Sequence, residues 1–428
     1  MHALNTGAFA RQSWRRACAG LRDPAWLRTA GLWALFAAFL LRAYWAMSVP
    51  VVPLSDSNAY DVFAQNIAAG HCYCWRPGEP TAYWAVGTAA LYALIYGAFG
   101  HSYAAIVVLN ILLGLGTTAL AMSLARRWLG PVPALLTGWI LALWPLMIEF
   151  TTILASEMLF NFFVLAAFWF ASVPGWRWFP RAAATGVALA ASAYIRPVAL
   201  LLGPLAFLQE ALVQRRPGRA FAACAVASVL MVALILPWSL RNLQVFDRFV
   251  LVSTNAGANF WMGNNPGTNG GYMPLPETGI VNEADLDRHL NQEAWEYIRR
   301  EPLAFVARSL KKAVLLHERE SIGVSWNEEG LERSFGRGVL MPLKIVSLVY
   351  WWLMLAGAAY GLVLLWRQRT WLQFLTLPPL TAWAYYTAIH SITVTGDRYH
   401  VPSDPFIAML AAYAIGALLA RFAPAGKT

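Results

Sequence analysis

Outside its basic clusters and one long polar segment, this sequence holds few groups that can carry charge or move a proton. They are Arg42, Asp56, Asp61, Arg76, Glu79, Glu149, Glu157, Arg196, Lys344, Asp397, Arg398 and Asp404, with His71, His101, His390 and His400. Nearly all stand at the ends of apolar runs or in one short stretch after the first run. Ionisable groups so close to a membrane are costly, which makes each a functional candidate. Carboxylates interleaved with arginines suit one chemistry above others: proton transfer beside an anionic headgroup.

Asp56 lies in Ser55-Asp56-Ser57-Asn58-Ala59-Tyr60-Asp61, which reads as a helix start. It is either an N-cap or a general base for an acceptor hydroxyl. Tyr60, four residues on, shares its helical face, and Asp61 does not. Arg76 and Glu79 follow in the same stretch, and Arg76 and Arg196 are available to keep Asp56 ionised. Glu157 opens an apolar run, where a carboxylate complements the helix dipole. Glu149 ends the preceding run and is expected across a short turn from Glu157. Such a pair can hold a divalent cation, but nothing in the sequence fixes a coordination geometry, so no metal and no cofactor are expected. Arg196-Pro197 interrupts another run; Arg196 either snorkels to the interface or clamps a lipid phosphate, for which guanidinium is well shaped. Arg398 and His400, in Gly396-Asp397-Arg398-Tyr399-His400-Val401-Pro402, form a second candidate anion site.

The elements that position these residues follow from composition. The chain has 428 residues, 59% hydrophobic and only 13% charged, with a mean hydropathy of +0.49. A soluble domain carries about 25% charged residues, so a soluble multidomain reading is excluded. Disorder is excluded too, because 21 Trp, 16 Tyr and 22 Phe cannot stay solvated. The net charge of +10 comes from 28 Arg and only 4 Lys, scattered in small groups between apolar runs. That pattern marks the cytoplasmic side of a membrane protein, and a nucleic-acid partner is rejected. The four cysteines (18, 72, 74, 224) give neither a zinc spacing nor a disulfide framework, and Cys72 and Cys74 read as too close for an easy bridge.

The apolar runs are 30–49, 103–125, 131–148, 158–176, 182–195, 197–213, 220–240, 345–366, 370–389 and 401–420. No cleavable signal peptide is expected. The run 83–100 is ambiguous. If it lies in the interface instead of crossing, sixteen basic residues and only two acids (Asp23, Glu210) collect on one side. That bias predicts ten spans with both termini inside. The expected organisation is a cytoplasmic segment 1–28 and a transmembrane module 29–240 whose first outer loop is 50–102. An outer segment 241–338 follows, then C-terminal transmembrane helices 339–421 and a tail 422–428. The outer segment is nearly neutral, with 13 of the 22 acids and 11 basic residues. Asn282 is placed to cap an amphipathic helix, and Pro302 to start a second.

Several short motifs follow one another in order along this topology. They are Asp56 with Tyr60, then Gly70, then Thr81-Ala82-Tyr83-Trp84-x-Val86-Gly87, then Phe99-Gly100 and Arg126-Arg127-x-x-Gly130. Ser156-Glu157, Arg196-Pro197, Pro237-Trp238-x-x-Arg241-Asn242 and Arg398-Tyr399-x-x-Pro402 follow. In these the chain resembles the GT-C membrane glycosyltransferases, the group around families 39 and 83 that includes lipid A aminoarabinose transferases and protein mannosyltransferases. The resemblance implies an all-α polytopic bundle with periplasmic juxtamembrane helices. It also implies an inverting hexosyl or pentosyl transfer from a polyprenyl-phosphate sugar donor to a lipid, glycan or protein acceptor, at the periplasmic face of a bacterial inner membrane. Asp56 would take the place of the first-loop catalytic acid, Glu157 that of the acid at the next outer turn, and Arg196 that of the phosphate-contacting base. Arg398 and Arg241 join Arg196 as expected phosphate ligands; Tyr60, Arg76, Glu79, Tyr83, Trp84, Glu149 and His400 are expected to line the site. Ser57 replaces a second acid often found beside the first, and Ala85 and Thr88 replace common prolines.

The rival expectation is a lipid or glycan flippase or transporter, whose charges would line a pathway. Such a protein should show related halves or helices broken near the midplane. The sequence has neither, and its ionisable residues gather at one face.

Overall fold

A computed structural model describes residues 23–422; most of the expected segment 1–28 and nearly all of the tail lie outside the described residues. Every apolar run folds as helix, and the described residues contain no strand, only an isolated bridge between Cys74 and Pro80. Helix α1 (Pro24–Ser48) is capped by Asp23, whose Oδ1 accepts from the Ala25 amide at 2.8 Å. After it come two short helices, α2 (Asp56–Ala68) and α3 (Gly87–Phe99), packed on each other. The first bundle continues with α4 (Tyr103–Trp128), α5 (Pro131–Leu143), α6 (Pro145–Glu149), α7 (Glu157–Ser172), α8 (Trp178–Ile195), α9 (Leu202–Leu212) and α10 (Pro217–Phe246). The outer segment holds α11 (Ala256–Asn264), α12 (Glu283–Arg300), α13 (Pro302–Glu318), α14 (Ile322–Trp326) and α15 (Glu328–Phe335). The chain ends with α16 (Leu340–Gln368), α17 (Trp371–Leu375), α18 (Pro378–Ile392) and α19 (Asp404–Phe422).

Small residues set the helix contacts, as expected where lipid removes the hydrophobic drive. A Cβ at Gly186 would stand 2.6 Å from the Ala227 carbonyl, so α8 and α10 touch backbone to backbone. Gly361 plays the same part between α16 and α19, where a Cβ would meet the Leu410 carbonyl at 2.2 Å. Asn282 does cap α12, its Oδ1 accepting from the amides of Ala284 at 3.0 Å and Asp285 at 3.3 Å. Leu290, Ala294 and Ile298 form the buried face of that helix.

The apolar helices differ widely in length. Among the described residues five helices (α1, α4, α10, the segment 337–368 that contains α16, and 401–421 that contains α19) are long and apolar enough to cross a bilayer, or six if a bent pair counts as one span. That pair is 131–143 with 145–152, turned by 58°, because Pro145 cannot continue the ladder of α5. Helix α7 has 16 residues and α3 has 13. At 1.5 Å per residue these are about 20–24 Å long, short of a core of roughly 30 Å. The run 370–389 likewise breaks before Pro378 into α17 and α18. Helix α10 runs unbroken to Phe246 despite Pro237.

Charge alone assigns the sides, which thiol labelling checks. In a background with Cys18 and Cys224 replaced by serine, cysteines at exposed Gly267 and Glu277 are expected to react with an impermeant reagent in intact cells. A cysteine at exposed Gly218 is expected to stay unlabelled until the membrane is opened. Labelling of Gly218→Cys in sealed cells overturns the orientation.

Candidate functional site

The loop between α1 and α2 reverses sharply at Ser55, a non-glycine residue with φ of 54°. This turn makes Ser55 the N-cap and puts Asp56 in the first helical position of α2, so Asp56 does not cap the helix. At that position the helix dipole favours a negative side chain. Its counter-ion is Arg398, whose Nη1 donates to Asp56 Oδ2 at 2.5 Å. Arg398 is held by aromatic faces: Trp326 and Tyr399 each lie 5.1 Å from its guanidinium carbon. Next to it Asp397 Oδ2 accepts from Ser321 Oγ at 2.7 Å and from the Ser321 amide at 3.2 Å. The arginine is therefore placed jointly by the outer segment and by the turn before α19.

A second pair lies beside the first. Glu157 opens α7 and is paired with Arg196, whose Nε also donates to Ser156 Oγ at 2.8 Å. The Glu157 side chain is 1% exposed and that of Arg196 15%. Arg196 follows α8 and precedes the Pro197–Leu201 turn, so the proline break aims it into the bundle. Tyr60, one turn along α2 from Asp56, is buried between the pairs. Its phenol is pushed well up by burial and then by Asp56 and Glu157, against the opposite pull of Arg196, so it stays a hydrogen-bond donor. Tyr83 has its phenol pushed up to about 12 by burial and then by neighbours that include Tyr399 and Asp56. Trp84 belongs to an aromatic cluster beside it, 4.6 Å from Tyr83 and 5.8 Å from Phe63 and from Trp75.

Two residues named in the sequence, His390 and Tyr399, and one that was not, Tyr386, also contribute. Tyr399 stacks on His390 at 4.6 Å. His390 Nδ1 faces the Val394 carbonyl at 3.3 Å, so it carries the proton and Nε2 is left as a buried acceptor without a partner. Tyr386 Oη is also buried and unpartnered. Arg196 lies within electrostatic reach of both, and Arg398 of His390. Two such atoms within reach of Arg196, one of them also of Arg398, suit a ligand that has both an anionic group and hydroxyls.

Other expected members stand elsewhere. Glu149 does not face Glu157. Its Oε1 accepts from Ser347 Oγ at 2.9 Å and its carbonyl from Asn327 Nδ2 at 2.9 Å, because the bend at Pro145 turns α6 towards α14 and α16. The carboxylate pair expected at that turn is not formed. His400 is also outside the anion site: the turn Val401–Ser403 carries it inward, where Nδ1 meets Asp404 Oδ1 at 2.9 Å and the ring stacks on Trp351 at 4.0 Å. Arg76 and Glu79 sit exposed on the turn 75–80 with no ion pair among the described residues, and Arg398 takes the part expected of Arg76. Cys72 and Cys74 do form a disulfide: the chain turns at Tyr73, which is drawn inward to donate to the Trp84 carbonyl at 3.1 Å, and the two Cα atoms come to 5.3 Å.

Arg241 is occupied as a latch. It donates to the carbonyls of Thr81 at 2.9 Å and Tyr73 at 3.4 Å, and it lies 4.7 Å over Trp238. Glu283 completes the fastening, accepting from Thr81 Oγ1 at 2.6 Å and the Ala82 amide at 2.9 Å. Arg241→Ala is therefore expected to lower stability by about 1–3 kcal/mol in thermal unfolding, with binding of a polyprenyl-phosphate donor little changed. A variant of parental stability that has lost donor binding returns Arg241 to the phosphate site.

No family model matches the sequence, and no curated protein does. Solved structures do match. The archaeal oligosaccharyltransferase AglB from Archaeoglobus fulgidus, in complex with an inhibitory peptide and a dolichol-phosphate, superposes with a TM-score of 0.56 at 11% identity over 92% of this chain. The apo form of the Archaeoglobus fulgidus oligosaccharyltransferase gives 0.57 at 11% identity over 93%. This chain spans about half the length of each, 50% and 51%. ArnT from Cupriavidus metallidurans bound to undecaprenyl phosphate gives 0.45 at 15% identity, covering 92% of this chain and 78% of that one. What the chain shares with the two oligosaccharyltransferase structures is the fold.

Proposed function

We propose that the protein is an inverting glycosyltransferase that takes its sugar from a polyprenyl-phosphate donor and works at the outer, periplasmic face of a bacterial inner membrane. The observation that carries this reading is the double pair, Asp56 with Arg398 and Glu157 with Arg196, closed around Tyr60. Two arginines already paired with carboxylates form a balanced site with no need of a metal there. A donor phosphate competes for both, and as it draws Arg398 away it frees Asp56 to accept a proton.

The reaction is one displacement. The acceptor hydroxyl oxygen forms a bond to the anomeric carbon, and the bond from that carbon to the phosphate oxygen breaks. The hydroxyl proton passes to Asp56. The carrier phosphate leaves with the bonding pair, its added charge held by Arg196 and Arg398. Tyr386 Oη and His390 Nε2 supply a donor and an acceptor for the sugar phosphate. The acceptor is a lipid, a glycan or a protein, entering past Tyr83 and Trp84. The fold of the oligosaccharyltransferase neighbour, solved in complex with an inhibitory peptide and a dolichol-phosphate, supports the donor class.

The test is transfer by the purified protein from radiolabelled polyprenyl-phosphate sugars, with release of free carrier phosphate. Movement of the intact carrier lipid across proteoliposomes, with the glycosidic bond unbroken, overturns the reading in favour of a flippase.

A further inference from the structure

Among the described residues three buried acids have basic or multiple hydrogen-bonding partners, whereas Glu149, Glu320 and Asp404 have no arginine or lysine, and Glu149 Oε1 is held by Ser347. Glu157 has Arg196, Glu210 has Arg181 and Arg219, and Asp61 accepts from Tyr96, Tyr103 and Gln65 and faces His101. Glu320 and Asp404 are each 0% exposed, and neither is paired with an arginine or lysine among the described residues. Glu320 Oε1 accepts from Trp144 Nε1 at 2.9 Å, and Oε2 has no partner. Asp404 meets His400 through Oδ1, leaving Oδ2 and His400 Nε2 without partners. One ligand atom from each of the three lies within 4.8 Å of the others.

We infer that Glu320, His400 and Asp404 bind one divalent transition-metal cation, zinc or manganese. Two carboxylates ionised out of water call for positive charge beside them, and one divalent ion supplies it. An imidazole among oxygen donors selects a first-row metal over magnesium or calcium. The Trp144 indole is the hydrogen bond that orients the glutamate, as outer partners do at metal sites, and Trp351 stacked on His400 keeps water out. The site is apart from Asp56 and Glu157, and its work is positional. It ties the Arg319–Ser321 segment to the turn before α19, beside the Ser321–Asp397 bond that places Arg398. Protons shared among the carboxylates are the competing solution, and metal analysis separates the two.

The test uses the full chain, freed of any affinity tag, and elemental analysis after exhaustive dialysis. About one zinc or manganese per chain is expected, retained in Asp56→Asn and reduced at least about tenfold in Glu320→Gln and Asp404→Asn. The parent protein is also expected to lose thermal stability on chelation and to regain it with zinc or manganese, a readout that survives if a variant fails to fold. A metal-free parent that takes up neither ion and shows no response to the chelator overturns the site. Metal lost in Asp56→Asn but kept in Asp404→Asn overturns it as well. Either result leaves the proposed transfer reaction standing, because that reaction is read separately from sugar release.

Discussion

Asp56→Asn is expected to transfer sugar at least about a hundredfold more slowly than the parent, with normal expression, detergent stability and donor binding. A hydroxyl is a poor nucleophile near neutral pH, and base assistance to its attack contributes roughly 10²–10⁴ in rate. Asparagine keeps the size of aspartate and an oxygen for Arg398, and Ser55 is the N-cap, so the helix loses little. Asp56→Ala also strips Arg398 of its partner and is the less informative variant. The readouts are transfer rate and donor titration on the same preparation. If Asp56→Asn transfers normally, Asp56 serves only to hold Arg398, and Glu157 becomes the candidate base. A flippase would show no dependence of bond breaking on either residue.

How far the sequence leads depends on the range of each contact. The apolar runs found the helices because hydropathy is local, and the four-residue step from Asp56 to Tyr60 set both on one face of α2. The counter-ion of Asp56 could not be found that way: Arg398 is 342 positions away, and the nearer Arg76 turned out to be exposed. Glu149 and Glu157 are close in sequence yet separate in space, because Pro145 and the short turn Phe150–Thr152 re-aim the first before α7 begins. Arg241 and His400 sit inside those short motifs, but a motif does not say which way a side chain faces. Arg241 turns to two carbonyls and His400 to Asp404. Even the bridge between Cys72 and Cys74 depends on a local event, the inward turn of Tyr73, that spacing alone does not encode.

The remaining large effect concerns Arg196, where structural and chemical roles overlap and must be parted. Arg196→Ala leaves Glu157 buried and uncompensated, and removing one partner of a buried pair costs about 3–5 kcal/mol. A drop in transfer by this variant alone therefore says little. The decisive variant is the double one, Arg196→Ala with Glu157→Gln, which removes both charges together. Thermal unfolding is expected to show most of the stability recovered, since neither charge is then stranded. Transfer is expected to stay low and the donor concentration needed to stay high, because no guanidinium meets the phosphate. Arg196→Lys should fall between, keeping charge on Glu157 but losing the fork that grips two oxygens at once. If the double variant regains parental transfer along with its stability, Arg196 only neutralises Glu157, and the phosphate is held by Arg398 without it.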